Sequence, residues 1–134
     1  MTPIYLDYNA TTPVEPAVLE AMLPFLRGEF GNPSSTYLLG RRAHEAVERA
    51  REEVARLIGA RSEEILFTGG ATEATNLAVR GAVALRAGRS AIVTTAIEHP
   101  ATNACCALLE GAGHAVYRAG AGSDGIVAPE RIAE

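Results

Sequence analysis

The sequence predicts an α/β layer fold with parallel strands. Three observations carry this. A short apolar run, Ile65-Leu66-Phe67-Thr68, meets Gly69-Gly70, and small helix-forming residues follow. A second run, Ala91-Ile92-Val93-Thr94-Thr95, precedes Pro100 and a helical stretch ending at Glu110 and Gly111. A third, Ala115-Val116-Tyr117, comes next. Strands that alternate with helices pair in parallel through crossovers, and a strand apolar at successive positions is covered on both faces.

Each element has its own signal. Pro3 and Pro13 keep the first fifteen residues extended. Val18, Leu19, Met22, Leu23, Phe25 and Leu26 form a helical stripe over 16–26. Gly28 to Ser35 is a loop of turn formers. From Leu38 to Ile58, the residues Leu39, Ala43, Ala46, Val47, Ala50, Val54, Leu57 and Ile58 recur at helical spacing. The pairs Glu45–Arg49 and Glu52–Arg56 support that helix at i,i+4, and Gly59 stops it. The next helix is expected over Ala71–Ala87, ended by Gly88. Gly120 to Gly125 is a loop, and Pro129 opens a last helix. That helix is only a few residues long at Glu134, so the ending reads as a truncation rather than a designed C-terminus.

Composition narrows the classes. At 134 residues the length predicts one domain, and a hydrophobic fraction of 48% can fill a core. A net charge of -4 argues against nucleic-acid partners. No apolar run reaches the length of a membrane span, and no secretory signal is visible, so the cytoplasm is the default compartment. Cys105 and Cys106 are adjacent and read as two small buried residues on a helix, not a disulfide. All twelve basic residues are arginine; there is no lysine.

Two places could carry chemistry. The glycine turn aims free backbone N–H groups and a positive helix end at one point, which suits a phosphate. The donors are the backbone around Gly70, Ala71 and Thr72, with the Thr72 hydroxyl beside them. The turn is neither a P-loop nor a G-x-G-x-x-G fingerprint, and a purely structural turn is the alternative. The second place is Glu98-His99-Pro100, at the carboxyl end of a strand, where α/β proteins bind ligands. His99 and the glycine turn are expected on one rim. The His99 imidazole could stack on an aromatic ligand or move a proton there; the alternative is a helix N-cap. His44 is expected to be solvated on the polar side of its helix, and His114 at the surface. Histidine and cysteine show no zinc spacing, so no metal site is expected. Asp7, Asn9, Thr11 and Thr12, and the loop Asn32-Pro33-Ser34-Ser35, read by themselves as turn residues.

Taken in order, these motifs resemble cysteine desulfurases. Tyr5-Leu6-Asp7-Tyr8-Asn9-Ala10-Thr11-Thr12-Pro13 resembles the family's opening, and Asn32-Pro33-Ser34-Ser35 with Gly40-Arg41-Arg42-Ala43 its next motif. Phe67-Thr68-Gly69-Gly70-Ala71-Thr72-Glu73-Ala74 is similar to its phosphate cradle. Ile97-Glu98-His99-Pro100-Ala101 is similar to the segment with its cofactor-stacking histidine. Three positions depart from the pattern: Gly69 for a usual Ser, Thr75 for Asn or Asp, and Tyr37 for His.

The resemblance implies the N-terminal portion, residues 1–134, of one pyridoxal-phosphate (PLP) dependent transferase domain. Its fold is the aspartate-aminotransferase-like fold type I, with a mainly parallel sheet. Residues 1–15 would be an extended opening, 16–60 helical, and 61–134 the start of the βαβαβ large domain. PLP is the implied cofactor, with Gly70, Ala71 and Thr72 at its phosphate, His99 on its ring, and Asn32 on the substrate side. The implied parent is a homodimer that converts L-cysteine to L-alanine and passes persulfide sulfur to a scaffold or acceptor protein. Its Schiff-base lysine and persulfide cysteine have no counterpart here, so this chain by itself is expected to be inactive. A selenocysteine lyase or another class-V aminotransferase is the alternative within the enzymes. A non-catalytic phosphate-binding or subunit-pairing module is the alternative outside them. In this architecture the first strand here is separated from the next two by strands later in sequence. The isolated chain is therefore expected to be poorly folded or aggregated.

Overall fold

A computed structural model describes residues 3–86 and 91–133. The chain divides into two compact units, Met1–Leu66 and Phe67–Glu134.

The first unit is helical. Pro16 opens α1 (Pro16–Arg27), where its missing N–H costs nothing, and Gly28 follows its end. The apolar stripe is present, but no residue of α1 is buried. Helix α2 (Leu38–Ile58) has the predicted limits and ends at Gly59, whose φ of 68° is the left-handed stop a glycine provides. Its buried residues are all small: Gly40, Ala43 and Ala55. Neither Glu45–Arg49 nor Glu52–Arg56 forms an ion pair among the described residues. Arg51 instead pairs with Glu48 at 3.2 Å and donates to the Ile65 carbonyl. Exposed i,i+4 pairs gain too little to fix two long side chains. A 3-10 turn, Ser62–Glu64, follows. Glu64 folds back on Arg61, accepting its backbone N–H at 2.9 Å and its guanidinium at 3.2 Å.

The second unit is layered. After α3 (Ala71–Ala84) come β1 (Ala91–Thr95), α4 (Pro100–Gly111), β2 (Ala115–Ala119) and the short α5 (Glu130–Ala133). The strands pair in parallel, Ala91 opposite Ala115 through Thr95 opposite Ala119. Helix α4 is the crossover and carries most of the core. Cys105 and Cys106 are 2% and 1% exposed, both free, and Leu109 is buried with them. Cys106 borders the same cleft as Ile92 and Thr94, while Leu109 borders one with Leu77 and Arg80 of α3 and with His114, just before β2. Alternation along β1 and β2 therefore turns Ile92, Thr94 and Val116 inward and leaves Val93 and Tyr117 exposed. Arg118 clasps Glu110 with both guanidinium nitrogens, at 2.9 and 3.2 Å, tying β2 to α4.

Three expectations are corrected here. Ile65–Thr68 is not a strand: Ile65 has extended dihedrals, φ −97° and ψ 126°, but no strand pairs with the run among the described residues. Backbone shape comes from the local sequence, whereas a strand exists only when a neighbour fills its hydrogen bonds. The second concerns His114. It is partly buried rather than at the surface, and its Nδ1 is buried without a hydrogen-bond partner. His44 is exposed on α2, as expected. The third concerns α3, which ends at Ala84 with Leu85 as its C-cap, short of the predicted Ala87; Ala87 and Gly88 themselves lie outside the described residues.

Candidate functional site

The glycine turn is built from its own hydrogen bonds. Thr68 Oγ1 donates to the Gly70 carbonyl at 3.2 Å, and Gly69 N–H donates to the Glu73 carboxylate at 2.6 Å. Gly70 has φ 156° and ψ 177°, backbone that a side chain would strain. A Cβ on Gly69 would sit 3.2 Å from the Glu73 carboxylate. Glycines therefore stand where the chain turns sharply into α3. The Gly70 carbonyl accepts from Ala74 N–H at 3.1 Å, closing the first helical turn.

That turn leaves donors over. The N–H groups of Ala71 and Thr72 have no acceptor among the described residues, and the Thr72 hydroxyl has none either. The Thr72 carbonyl is held by the Asn76 side chain at 2.9 Å. Two backbone donors, a hydroxyl and the positive end of a fourteen-residue helix converge on solvent. This donor set fits a phosphate group such as that of PLP, and the acidic Glu73 of the first turn is turned back onto Gly69.

His99 stands at the carboxyl end of β1, as expected, and the helix-capping alternative is realised. It is the N-cap of α4: the imidazole Nδ1 accepts from Ala101 N–H at 3.1 Å. Pro100 takes the first helical position. The ring is exposed, so capping uses one edge and leaves a face and Nε2 available. Around it, Thr95 Oγ1 donates to the Glu98 carboxylate at 2.8 Å, and the Asn103 side chain donates to the Glu98 carbonyl at 3.0 Å. The sheet ladder fixes His99 at the strand edge. It does not fix the glycine turn there, because the run before that turn joins no strand ladder among the described residues.

Asn32, in the first unit, forms a turn. Its side-chain oxygen accepts from Ser34 N–H at 2.9 Å and its carbonyl from Ser35 N–H at 2.9 Å. The loop lies against α2, where a Cβ on Gly40 would come within 2.8 Å of the Asn32 carbonyl and closer still to that of Ser35. Asp7 accepts through its carbonyl from Ala10 and Thr11, a backbone turn like that expected. Among the described residues no group of three His, Cys, Asp or Glu side chains forms a metal cluster. Asn103 and Thr95 were not legible as site residues. Their only sequence signal is that they flank His99 at the end of a strand and in the first turn of a helix.

A parallel β1–α4–β2 crossover, with a glycine turn opening α3 and a histidine capping the helix that follows β1, is an arrangement of the α/β class. The aminotransferase class-V family model matches residues 4–134, and the chain belongs to that family. More narrowly, it is 50% identical over 126 residues to a cysteine desulfurase of Enterobacter agglomerans, covering 93% of this chain and 31% of that protein. Among solved structures, a NifS-like protein matches with a TM-score of 0.86 at 37% identity, covering 97% of this chain and 36% of the other. A structure described as SspA in complex with cysteine matches with a TM-score of 0.78 at 39% identity, covering 86% and 34%. The predicted α/β class and its fold-type-I assignment are those of these neighbours. The chain spans about a third of the length of the relatives it matches.

Proposed function

We propose that this chain forms the cofactor-phosphate cradle and ring-stacking wall of a PLP-dependent cysteine desulfurase. The observation that carries this is the uncommitted donor set of Ala71, Thr72 and the Thr72 hydroxyl, opening from the Gly70 turn. Those groups would hold the phosphate, and His99 would lie against the pyridine ring. When bound, PLP supplies the electron sink for breaking bonds at an amino-acid substrate. The chain's own residues bind, orient and present donors.

The parent reaction breaks the carbon–sulfur bond of L-cysteine. Sulfur passes to an enzyme cysteine thiol, forming a persulfide, while a proton replaces sulfur on carbon to give L-alanine. A matching structure is described as a complex with cysteine, which supports that substrate. Asn32 is placed on the substrate side in this proposal. A homodimer, a sulfur acceptor or scaffold protein, and a cytoplasmic setting with Cys105 and Cys106 unbridged complete it.

One observation favours a second reading. With no lysine, the chain has no internal amine to hold PLP covalently and by itself would be inactive, which also suits a non-catalytic phosphate-binding module. PLP binding followed by borohydride reduction and peptide mapping tests both. Reversible PLP binding that Thr72→Ala weakens roughly tenfold, with label only on the N-terminal amine, is the expected result; a lost charge-assisted hydrogen bond is worth about 1.5–3 kcal/mol. Binding unaffected by Thr72→Ala removes the cradle. Binding of inorganic phosphate but not PLP favours the module.

A further inference from the structure

Several hydrogen bonds hold the backbone around His99, and Asn103 makes two of them. Asn103 engages the carbonyls on both sides of the His99 Cα. Its side chain donates to the Glu98 carbonyl at 3.0 Å, and its backbone N–H donates to the His99 carbonyl at 3.2 Å. Thr102 N–H adds a second bond to that carbonyl at 2.9 Å. Thr95, the last residue of β1, binds the Glu98 carboxylate at 2.8 Å. The backbone of His99 is thereby set at φ −58° and ψ 145°, the extended geometry of an N-cap.

The cap then dictates where the imidazole proton sits. Ala101 N–H is a backbone donor, so the Nδ1 facing it at 3.1 Å must carry a lone pair. In the neutral ring the proton is therefore on Nε2. The exposed part of His99 offers a flat face and an N–H donor. The ring's lone pair is the one already in use, on Nδ1 toward Ala101 N–H.

We propose that Asn103 is a positioning residue for His99, holding it as the Nε2–H tautomer so that the ring meets a ligand with its face and a donor edge. This rests on the assignment of His99 to the cofactor site. It adds the tautomer, the edge presented and the residue that fixes them. Nothing in the sequence marks Asn103 for that task except its place in the first turn of α4.

The test is histidine-selective nitrogen NMR on the proposed parent protein, which carries His44, His99 and His114 of this chain. His99→Asn identifies the His99 pair by its disappearance. The expected result is one bare-nitrogen signal at Nδ1 and one protonated signal at Nε2. In Asn103→Asp, which keeps the size but cannot donate at neutral pH, the two signals should move toward a common averaged value, while those of His44 and His114 and the far-UV dichroism stay put. Asn103→Gln should restore part of the separation. PLP affinity should fall roughly two- to tenfold in Asn103→Asp, the effect of about one net hydrogen bond. An Nδ1–H tautomer in the parent chain overturns the proposal, as does an Asn103→Asp spectrum in which His99 is unchanged. If PLP affinity ignores His99→Ala as well, the cofactor assignment fails, and the tautomer result still decides the positioning role.

Discussion

His99 serves α4 through one edge of its ring and is available to a ligand through the rest, so substitution can separate the two roles. His99→Ala should remove the cap and lower stability by about 1 kcal/mol or less, as lost caps do. His99→Asn should restore the cap, since a short side-chain oxygen accepts the same N–H. Neither variant should recover PLP binding in the protein that holds it. Thermal melts beside PLP titrations make the comparison. Recovery of PLP binding in His99→Asn would remove the stacking role. At the same scale, Arg118 holds the Glu110 carboxyl below the ordinary glutamate range through its hydrogen bonds. A carboxylate depressed on folding contributes stability above its unfolded value and loses it as pH falls through the lower folded value. The advantage of the parent over Glu110→Gln should therefore be full near neutral pH and vanish in acid, below the usual carboxylate range. Unfolding measured across that window checks it; a difference independent of pH means the pair is not linked to folding. Residue-level roles were unevenly legible. Gly70 could be read from its place between a strand-like run and a helix. Asn103 could not, because its partner is the backbone of another residue.

At the scale of elements, close approach decides. The Asn32 loop sits against α2 because Gly40 has no Cβ; one there would overlap the Ser35 carbonyl and crowd that of Asn32. Gly40→Ala should push the loop off the helix and cost about 1–3 kcal/mol, the range for overpacking. Urea unfolding together with faster amide exchange at Ser34 and Ser35 would show it. Unaltered exchange there would mean that the loop yields without losing its turn. Helices were the legible elements. The limits of α2 and the start of α3 follow from periodicity, glycine stops and proline starts, all encoded within a few residues. The run Ile65–Thr68 shows the opposite. Its composition is that of a strand and Ile65 is extended, yet pairing requires residues distant in sequence. The i,i+4 ion pairs of α2 likewise did not form, because their gain is comparable to the entropy of holding them.

For the whole molecule, the surplus of exposed apolar surface matters most. Leu19, Met22 and Phe25 on α1, and Val93 and Tyr117 on the sheet, are all more than 40% exposed. A two-stranded parallel sheet is marginal by itself, and parallel strands are stable with both faces covered. The isolated chain should therefore bind a hydrophobic dye, scatter light increasingly with concentration, and melt without a sharp transition. A soluble monomer with a cooperative melt and no dye binding would show that the two units cover themselves in solution.

Local order, the helix stripes, the glycine turn and the motif series belong to the sequence by itself, because each depends on neighbours within a few positions. The absence of lysine is also a property of the sequence, and it bounds the chemistry whatever the fold. Tertiary structure decided the rest. It paired β1 with β2 in parallel and buried Cys105 and Cys106 on the crossover helix. It gave Ile65–Thr68 no strand to pair with among the described residues and turned His99 into a cap whose remaining edge is a donor. The physical reason is the same in each case: hydrogen-bond partners and apolar cover come from residues far apart in the chain, and no local pattern records which of them will arrive.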